Sequence, residues 1–293
     1  DYTSAFIIFH YEDSDSWDWR FSFCQKDNKE VTEAKRYTFL LGPGQSCRTA
    51  AENFQKLIDK HGEINRDDIV AAFDVEALSK EFFDKYKAKY EKFCNYIYDN
   101  RNDEDLFGHE FAEWDEKLIR DYVKKLLGRI VFLHFLQKKG WLGVPFGKEW
   151  GEGDTQFMKH LFEASTQEQK ENYLDCVLEP LFAGALNTQR PNDIFDLNVD
   201  GYRTTRIPYL NGGLFERDAL DEPKSTFPAP YFEELFEFFY QYNFTIDEND
   251  PNDAEVGIDP EMLGHIFENL LEDNNDKGAF YTPKAIVQYM CRE

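Results

Sequence analysis

The chain has few basic residues for its size. Its 293 residues include 33 Lys and Arg against 57 Asp and Glu, which gives a formal net charge of −24. Contact with phosphate requires a locally positive surface. This deficit therefore excludes a protein that binds nucleic acid through its overall charge, and any contact with DNA must use local basic patches.

Cysteines and long apolar runs are also scarce. The five cysteines are far apart and odd in number, which indicates neither a disulfide framework nor a Cys-x-x-Cys zinc site. No stretch approaches the roughly eighteen consecutive apolar residues of a membrane span, and the first residues lack the basic-then-apolar pattern of a secretion signal. We therefore expect a soluble, cytoplasmic protein with no membrane partner.

The residues that commonly bind metals lack a suitable spacing. The six histidines form no His-x-x-x-His or Glu-linked zinc pattern. Glu33-Ala34-Lys35 has the Glu-x-Lys spacing of a metal-dependent nuclease, but it lies in a charged turn and lacks apolar flanks. Because 31% of the residues are charged, such matches arise by chance. We assign no metal site to this chain.

Aromatic and aliphatic residues are abundant, and their spacing predicts the fold. With 42% hydrophobic and 17% aromatic residues, the chain is long enough for two folded units. Short β-branched and aromatic runs at residues 6–9, 19–23 and 37–41 predict a small antiparallel sheet within residues 1–48. From Thr49 onward apolar residues recur at helical spacing. The fold class is therefore mainly α with a small N-terminal β element.

Three helices stand out within a predicted connector domain, residues 49–245. The first follows Asp74 and has one apolar stripe, the second begins near Trp114 and has two, and the third contains Phe232 and Phe236. Glycine and proline interrupt the periodicity at 140–154 and 187–230, which predicts connections there. The cations at 85–92 and at Lys124, Lys125 and Arg129 are interpreted as solvated faces, with DNA contact left open.

The last segment, residues 246–293, contains the most specific pattern. An acidic stretch at 247–255 is interpreted as a linker, and Asp259-Pro260-Glu261 predicts a helix start. Further on, Thr282 and Pro283 suit the N-cap and first position of another helix, directly after Phe280 and Tyr281. Such a helix start offers unpaired N–H groups to a carboxylate or phosphate, and the rings can flank an apolar ligand. The alternative interpretation is an ordinary capped helix with core aromatics.

Residues 278–283, Gly-Ala-Phe-Tyr-Thr-Pro, resemble the signature called motif X, which opens the methyltransferase domain of adenine-specific DNA methylases. Residues 258–271 resemble the helix found just upstream of it. Residues 206–216 and 36–42 resemble segments of large fused restriction-methylation enzymes, the type IIG class. The resemblance implies that Phe280, Tyr281, Thr282 and Pro283 shape the pocket for the methionine end of S-adenosylmethionine.

The resemblance also implies an activity that this chain cannot perform alone. The family methylates adenine N6 in double-stranded DNA with an Asn/Asp-Pro-Pro-Tyr/Phe tetrapeptide, which the chain lacks; Ile207-Pro208-Tyr209 is the nearest string. Residues 39–44 mimic the glycine loop that holds the cofactor, but lack its acidic residue. We expect an internal fragment that connects a nuclease, which would require Mg²⁺, to a methylase, and that has no catalytic residues of its own.

Two other interpretations remain open. The chain is then either a non-enzymatic helical module whose acidic surface binds a protein or mimics the charge of DNA, or part of an enzyme that only methylates and relies on another subunit for cleavage.

Overall fold

A computed structural model describes residues 4–10, 18–26, 35–43, 45, 47–73, 75–210, 213–244, 253–255, 257–258 and 262–264. Its fold is mainly helical with a small sheet, which confirms the predicted fold class. Two compact units are present. The sheet unit comprises Asp1–Lys85 and Tyr240–Glu293, and the helical unit comprises Tyr86–Phe239. The division into 1–48, 49–245 and 246–293 follows predicted roles and stays a prediction.

The three predicted strands form an antiparallel sheet in the sheet unit. They are β1 (Ser4–His10), β2 (Trp19–Gln25) and β3 (Lys35–Leu41). A fourth strand, β6 (Asp253–Glu255), pairs in parallel with β3, so that the order is β1-β2-β3-β6. β6 belongs to the acidic stretch that was interpreted as a linker. Three residues with a single apolar member carry no strand pattern, so periodicity could not reveal it.

An aromatic cluster joins this sheet to two helices. On one face of the sheet, the rings of Phe21, Phe23 and Phe39 contact Phe73, which directly follows helix α2 (Arg66–Ala72). The ring centroids of Phe39 and Phe73 are 4.9 Å apart. Phe54 of helix α1 (Arg48–Asp59) contacts Phe73 at 5.5 Å. A small sheet gains its stability from such packing against helices.

The long helices of the chain agree with the predictions. Helix α3 (Val75–Asn100) carries the predicted apolar stripe, of which Phe82, Tyr86, Tyr90, Phe93 and Ile97 are buried. Helix α4 (Glu116–Lys138) begins after Asp115, whose carboxylate accepts a hydrogen bond from the amide of Leu118 at 2.8 Å. Both predicted stripes of α4 are buried except at Leu118 in its first turn. Helix α7 (Ala229–Tyr240) is the third predicted helix.

The helical unit also contains shorter elements between α4 and α7. Helices α5 (Phe157–Ala164) and α6 (Gln167–Glu171) precede two π-helical turns, π1 (Leu174–Leu178) and π2 (Pro180–Leu186). The amide of Asn187 donates to the carbonyl of Phe182, five residues earlier, at 3.0 Å. π-Helical turns are rare and occur frequently at functional sites. Two short strands, β4 (Ile194–Phe195) and β5 (Thr205–Arg206), pair within the region predicted as a connection.

No helix among the described residues is both long enough and apolar enough to cross a membrane.

Phe73 provides a test of the aromatic cluster. The residue is fully buried, and Phe73→Ala removes ring contacts to both the sheet and α1. We expect a loss of about 3–5 kcal/mol in the free energy of unfolding, as for other large-to-small core changes. Urea denaturation measures it. Ile58→Ala, at an exposed site on α1, is the control and should change stability little; an equal loss in both variants would contradict the packing.

Candidate functional site

The residues predicted to bind the cofactor, Phe280, Tyr281, Thr282 and Pro283, lie outside the described residues. Most of the helix predicted upstream of them lies outside as well, as do Glu33 and Ala34. The described part of that helix contains Met262 and Leu263, both buried. The cofactor assignment therefore stays a prediction, and the described site must be built from other residues.

The basic face predicted on α3 is largely neutralised by carboxylates. Lys85 donates to Glu81, while Lys89 and Lys92 both reach Glu234, at 2.8 and 2.7 Å. Hydrogen bonds from these two ammonium groups lower the pKa of Glu234 to about 2. The carboxylate is therefore ionised at neutral pH, and it offsets the charge that this face would present to a phosphate backbone.

The interpretation of Arg129 on α4 as part of a solvated face is wrong. Its side chain is only 2% exposed and forms a bidentate pair with Asp221, at 2.8 and 3.0 Å. Lys125, one turn earlier, reaches both Asp218 and Asp221 at 2.6 Å. Both cations lie on the side of α4 that faces the segment 213–221. Their carboxylate partners lie about ninety residues further along the chain, which is why the pattern of α4 alone misassigned them.

Arg129 fastens this segment to the helix. Its Nε donates to the carbonyl of Leu214 at 2.7 Å and its Nη2 to that of Glu216 at 2.9 Å. The guanidinium also lies 5.4 Å from the ring centroid of Phe182 in π2. The clamped segment, residues 213–221, overlaps residues 206–216, which resemble part of the fused enzymes. We call Arg129, Lys125, Asp218 and Asp221 the arginine clamp.

A single turn of 3-10 helix, Ala219–Asp221, positions the carboxylates of the clamp. Asp218 caps this turn by accepting a hydrogen bond from the amide of Leu220 at 2.9 Å, and its own amide donates to Asp221 at 3.2 Å. Burial opposes the ionisation of Asp221, but hydrogen bonds from Arg129 and Lys125 outweigh it and hold the pKa of this carboxyl below its usual range. The clamp is therefore an ion pair at neutral pH.

A cleft of about 350 Å³ opens beside the clamp. Burial raises the pKa of Asp175 in π1, and burial together with the charge of Asp221 raises that of Glu179, between π1 and π2. At the inner end, the buried hydroxyls of Tyr122 and Ser225 share a hydrogen bond. The rest of the lining is Pro180, Ala183, Gly184, Arg217, Asp221, Glu222, Pro223 and Lys224. The cleft thus combines carboxyl groups of high and low pKa with two cations.

This mixture does not form a metal centre. Among the residues that the structure describes, no group of three or more His, Cys, Asp or Glu side chains could hold a metal ion. The two cations of the lining are tied to backbone carbonyls, Arg217 to that of Asp221 at 2.9 Å and Lys224 to that of Asp105 at 2.7 Å. Both cations of the lining therefore help to fix loop backbone in place.

His134 on α4 is buried and takes part in the packing of the core. Burial lowers the pKa of its imidazole to about 3, so the ring is neutral at physiological pH. Its Nδ1 lies 3.0 Å from the side-chain nitrogen of Gln137, and its ring centroid lies 4.7 Å from that of Phe239. The carbonyl of the Gln137 side chain in turn accepts from the amide of Met158, which joins α4 to α5.

Breaking one side of the clamp should destabilise the helical unit strongly. Arg129→Met leaves Asp221 buried without its main partner, and such a loss costs about 3–5 kcal/mol. The matched control is Arg120→Met on the same helix. It removes the exposed pair with Glu116, at 2.8 Å, which is worth about 1 kcal/mol or less. Urea denaturation of both variants measures the difference, and equal small losses would show that the clamp is not essential.

The free energy of unfolding should depend on pH in opposite ways for Glu179, whose pKa is raised, and Asp221, whose pKa is lowered. Because the pKa of Glu179 is raised in the folded protein, its ionisation costs stability at neutral pH. Glu179→Gln should therefore increase the free energy of unfolding at pH 7, and this gain should vanish as the pH falls towards about 4, the unfolded value. Asp221→Asn should lower the free energy of unfolding at pH 7. This loss should become smaller as the pH falls below about 4. Denaturation at several pH values checks both signs; the same sign for both variants would contradict the assignment.

The comparisons with known proteins agree with the resemblance in one respect. No protein-family model and no solved structure matches the chain. A protein of Methanocaldococcus jannaschii, named "Putative type II restriction enzyme and methyltransferase", is 30% identical over 194 residues. The match covers 62% of this chain but only 15% of that relative. The chain is thus similar to a small part of a protein whose name combines restriction and methylation.

Proposed function

We propose that this chain is the connector region of a restriction-modification enzyme of the type IIG class, which methylates adenine N6 in double-stranded DNA. The observation that carries the proposal is the similarity to the Methanocaldococcus jannaschii protein whose name combines restriction and methylation. The resemblance of Phe280-Tyr281-Thr282-Pro283 to motif X favours the same assignment. The whole enzyme would act on DNA in the cytoplasm, whereas this region would not itself catalyse a reaction.

The helical unit supports a connecting role through its packing. The long helices α3 and α4 supply buried stripes, and the arginine clamp fixes a segment that otherwise has little regular structure. A rigid region of this kind suits the task of holding a nuclease and a methylase at a fixed separation, since catalytic groups require precise placement. If the full-length polypeptide also contains the nuclease, Mg²⁺ would bind in that nuclease and not in the 293 residues of this chain.

S-Adenosylmethionine is the proposed cofactor of the full-length enzyme. With Thr282 as the predicted N-cap and Pro283 at the predicted first helical position, backbone N–H groups would be available to receive the carboxylate of its methionine end. The rings of Phe280 and Tyr281 would flank the apolar part of the cofactor. When bound, the cofactor supplies the methyl group.

Methyl transfer by the full-length protein tests this proposal. We expect labelled methyl from S-adenosylmethionine to enter unmethylated duplex DNA as N6-methyladenine, identified by chromatography after hydrolysis of the DNA. Tyr281→Ala should weaken the transfer by at least about tenfold, the cost of one ring contact of more than about 1.4 kcal/mol. Tyr98→Ala, a change of the same chemistry at an exposed position of α3, is the control and should leave the rate unchanged.

Three results would contradict the proposal or a part of it. A folded full-length protein that labels no DNA of diverse sequence would favour the acidic interaction module. Labelling of cytosine would retain a methyltransferase but overturn adenine specificity. Equal activity of Tyr281→Ala and Tyr98→Ala would remove the cofactor role of the Phe-Tyr-Thr-Pro segment.

A further inference from the structure

A loop of the helical unit exposes three large aromatic side chains. Residues 140–153, which we call the aromatic loop, follow α4 and carry Trp141, Phe146 and Trp150. Phe146 is 73% exposed, and each tryptophan is 37% exposed. Most other aromatic residues of the helical unit are buried in its core. Apolar surface concentrated on one loop marks an interaction site more often than scattered exposure does.

The neck of this loop is held rigidly by its backbone. The amides of Gly151 and Gly153 both donate to the carbonyl of Gly140, at 3.1 and 2.9 Å, and Asp154 donates to Leu142 at 2.9 Å. A side chain at Gly140 would bring its Cβ within 2.2 Å of the carbonyl oxygen of Gly151, and the φ of +65° also favours glycine there. Trp141 and Trp150 each adjoin one of these hydrogen-bonded glycines. Both tryptophans therefore lie next to the hydrogen-bonded glycines that fix the two ends of the loop.

Cations lie against these rings. The Arg206 guanidinium lies 4.4 Å from the ring centroid of Trp150, and the Lys139 ammonium lies 5.8 Å from that of Trp141. Arg206 is fixed twice, because its backbone pairs with Val144 and its Nη1 donates to the carbonyl of Lys148 at 2.6 Å. Each cation is thus positioned beside an exposed aromatic surface.

The local charge has the opposite sign to that of the whole chain. Residues 138–154 together with Arg206 contain four cations, Lys138, Lys139, Lys148 and Arg206, against three carboxylates, Glu149, Glu152 and Asp154. Glu152 is paired with Lys148 at 3.2 Å. On a chain with a net charge of −24, this is the local basic patch that contact with phosphate requires.

We propose that the aromatic loop is a DNA contact surface, in which the rings stack on bases exposed by local opening of the duplex and the cations bind the flanking phosphates. This inference rests on the proposed function and adds to it the surface that meets the substrate. Stacking on aromatic rings combined with neighbouring cations is the chemistry by which proteins hold unpaired bases. Adenine methylation requires a base that has left the stack.

The helical unit contains a matched control pair. The Arg101 guanidinium lies 4.4 Å from the ring centroid of Tyr98, the same distance as in the Arg206–Trp150 pair. Tyr98 is also exposed, but its surroundings are acidic, with Asp99, Asp103, Glu104 and Asp105 close by in the sequence. A ring with a cation but without a positive environment should not attract DNA.

The test is the affinity of the full-length protein for fluorescein-labelled oligonucleotides, measured by fluorescence anisotropy without cofactor. We expect Trp150→Ala and Phe146→Ala each to weaken binding to single-stranded DNA about 5-fold to 100-fold, the range for one stacked base. The loss on a duplex should be smaller, while Tyr98→Ala should bind as the wild type does. Lys139→Gln should lower the slope of log affinity against log salt by about one on either DNA.

Phe146→Ala keeps the test valid if Trp150→Ala fails to fold, since Phe146 is the most exposed of the three rings. Wild-type affinity in folded Phe146→Ala and Trp150→Ala would overturn the inference, and easier proteolysis of these variants would then indicate that the loop packs on another domain. If methyl transfer persists in that case, only the surface assignment fails. If the wild type neither binds DNA nor transfers methyl, the proposed function fails as well.

Discussion

The helical unit depends on one buried guanidinium. Taking Arg129 out of water is costly, and the cost is offset because four of its N–H groups meet acceptors: two carboxylate oxygens of Asp221 and the carbonyls of Leu214 and Glu216. A lysine at this position could not reach that set of acceptors, because its ammonium is a compact point charge. The clamp therefore requires arginine at residue 129, and its specific geometry determines where segment 213–221 lies.

The part of the chain from β5 to Asp221 contributes residues to both the aromatic loop and the cleft beside the arginine clamp. At its start, β5 places Arg206 against Val144 and Trp150 of the aromatic loop. Further along, Leu214 and Glu216 are fastened to α4, and Asp221 lines the cleft beside π1 and π2. A segment with little regular structure is thus held at both ends by side-chain and backbone hydrogen bonds. This explains how a region without periodicity can nevertheless hold its functional groups in fixed positions.

Periodicity predicted what depends on neighbours in the sequence and failed for what depends on distant partners. The β-branched and aromatic runs of β1, β2 and β3 and the apolar stripes of α3, α4 and α7 identify these elements, because both patterns depend only on residues close in the sequence. The inward position of Arg129, the strand β6 and the π-helical turns depend on contacts far along the chain or have no spacing of their own. The aromatic loop was predicted only as a connection, because exposure cannot be read from residue type. At residues 280–283 the pattern indicated only a helix start that can receive an anion, and the assignment to S-adenosylmethionine came from the resemblance.

The parallel pairing of β3 with β6 has a consequence for the order of events during synthesis. Thr38 pairs with Glu255, more than two hundred residues later, and the entire helical unit is encoded between them. At ribosomal rates of about 5–20 residues per second, β6 would be synthesised roughly 10 to 40 s after β3. During that interval the nascent chain presents an unpaired strand edge, a template for mispairing with neighbouring chains. The strands β1, β2 and β3 are translated before the helical unit, but their sheet is completed only after it.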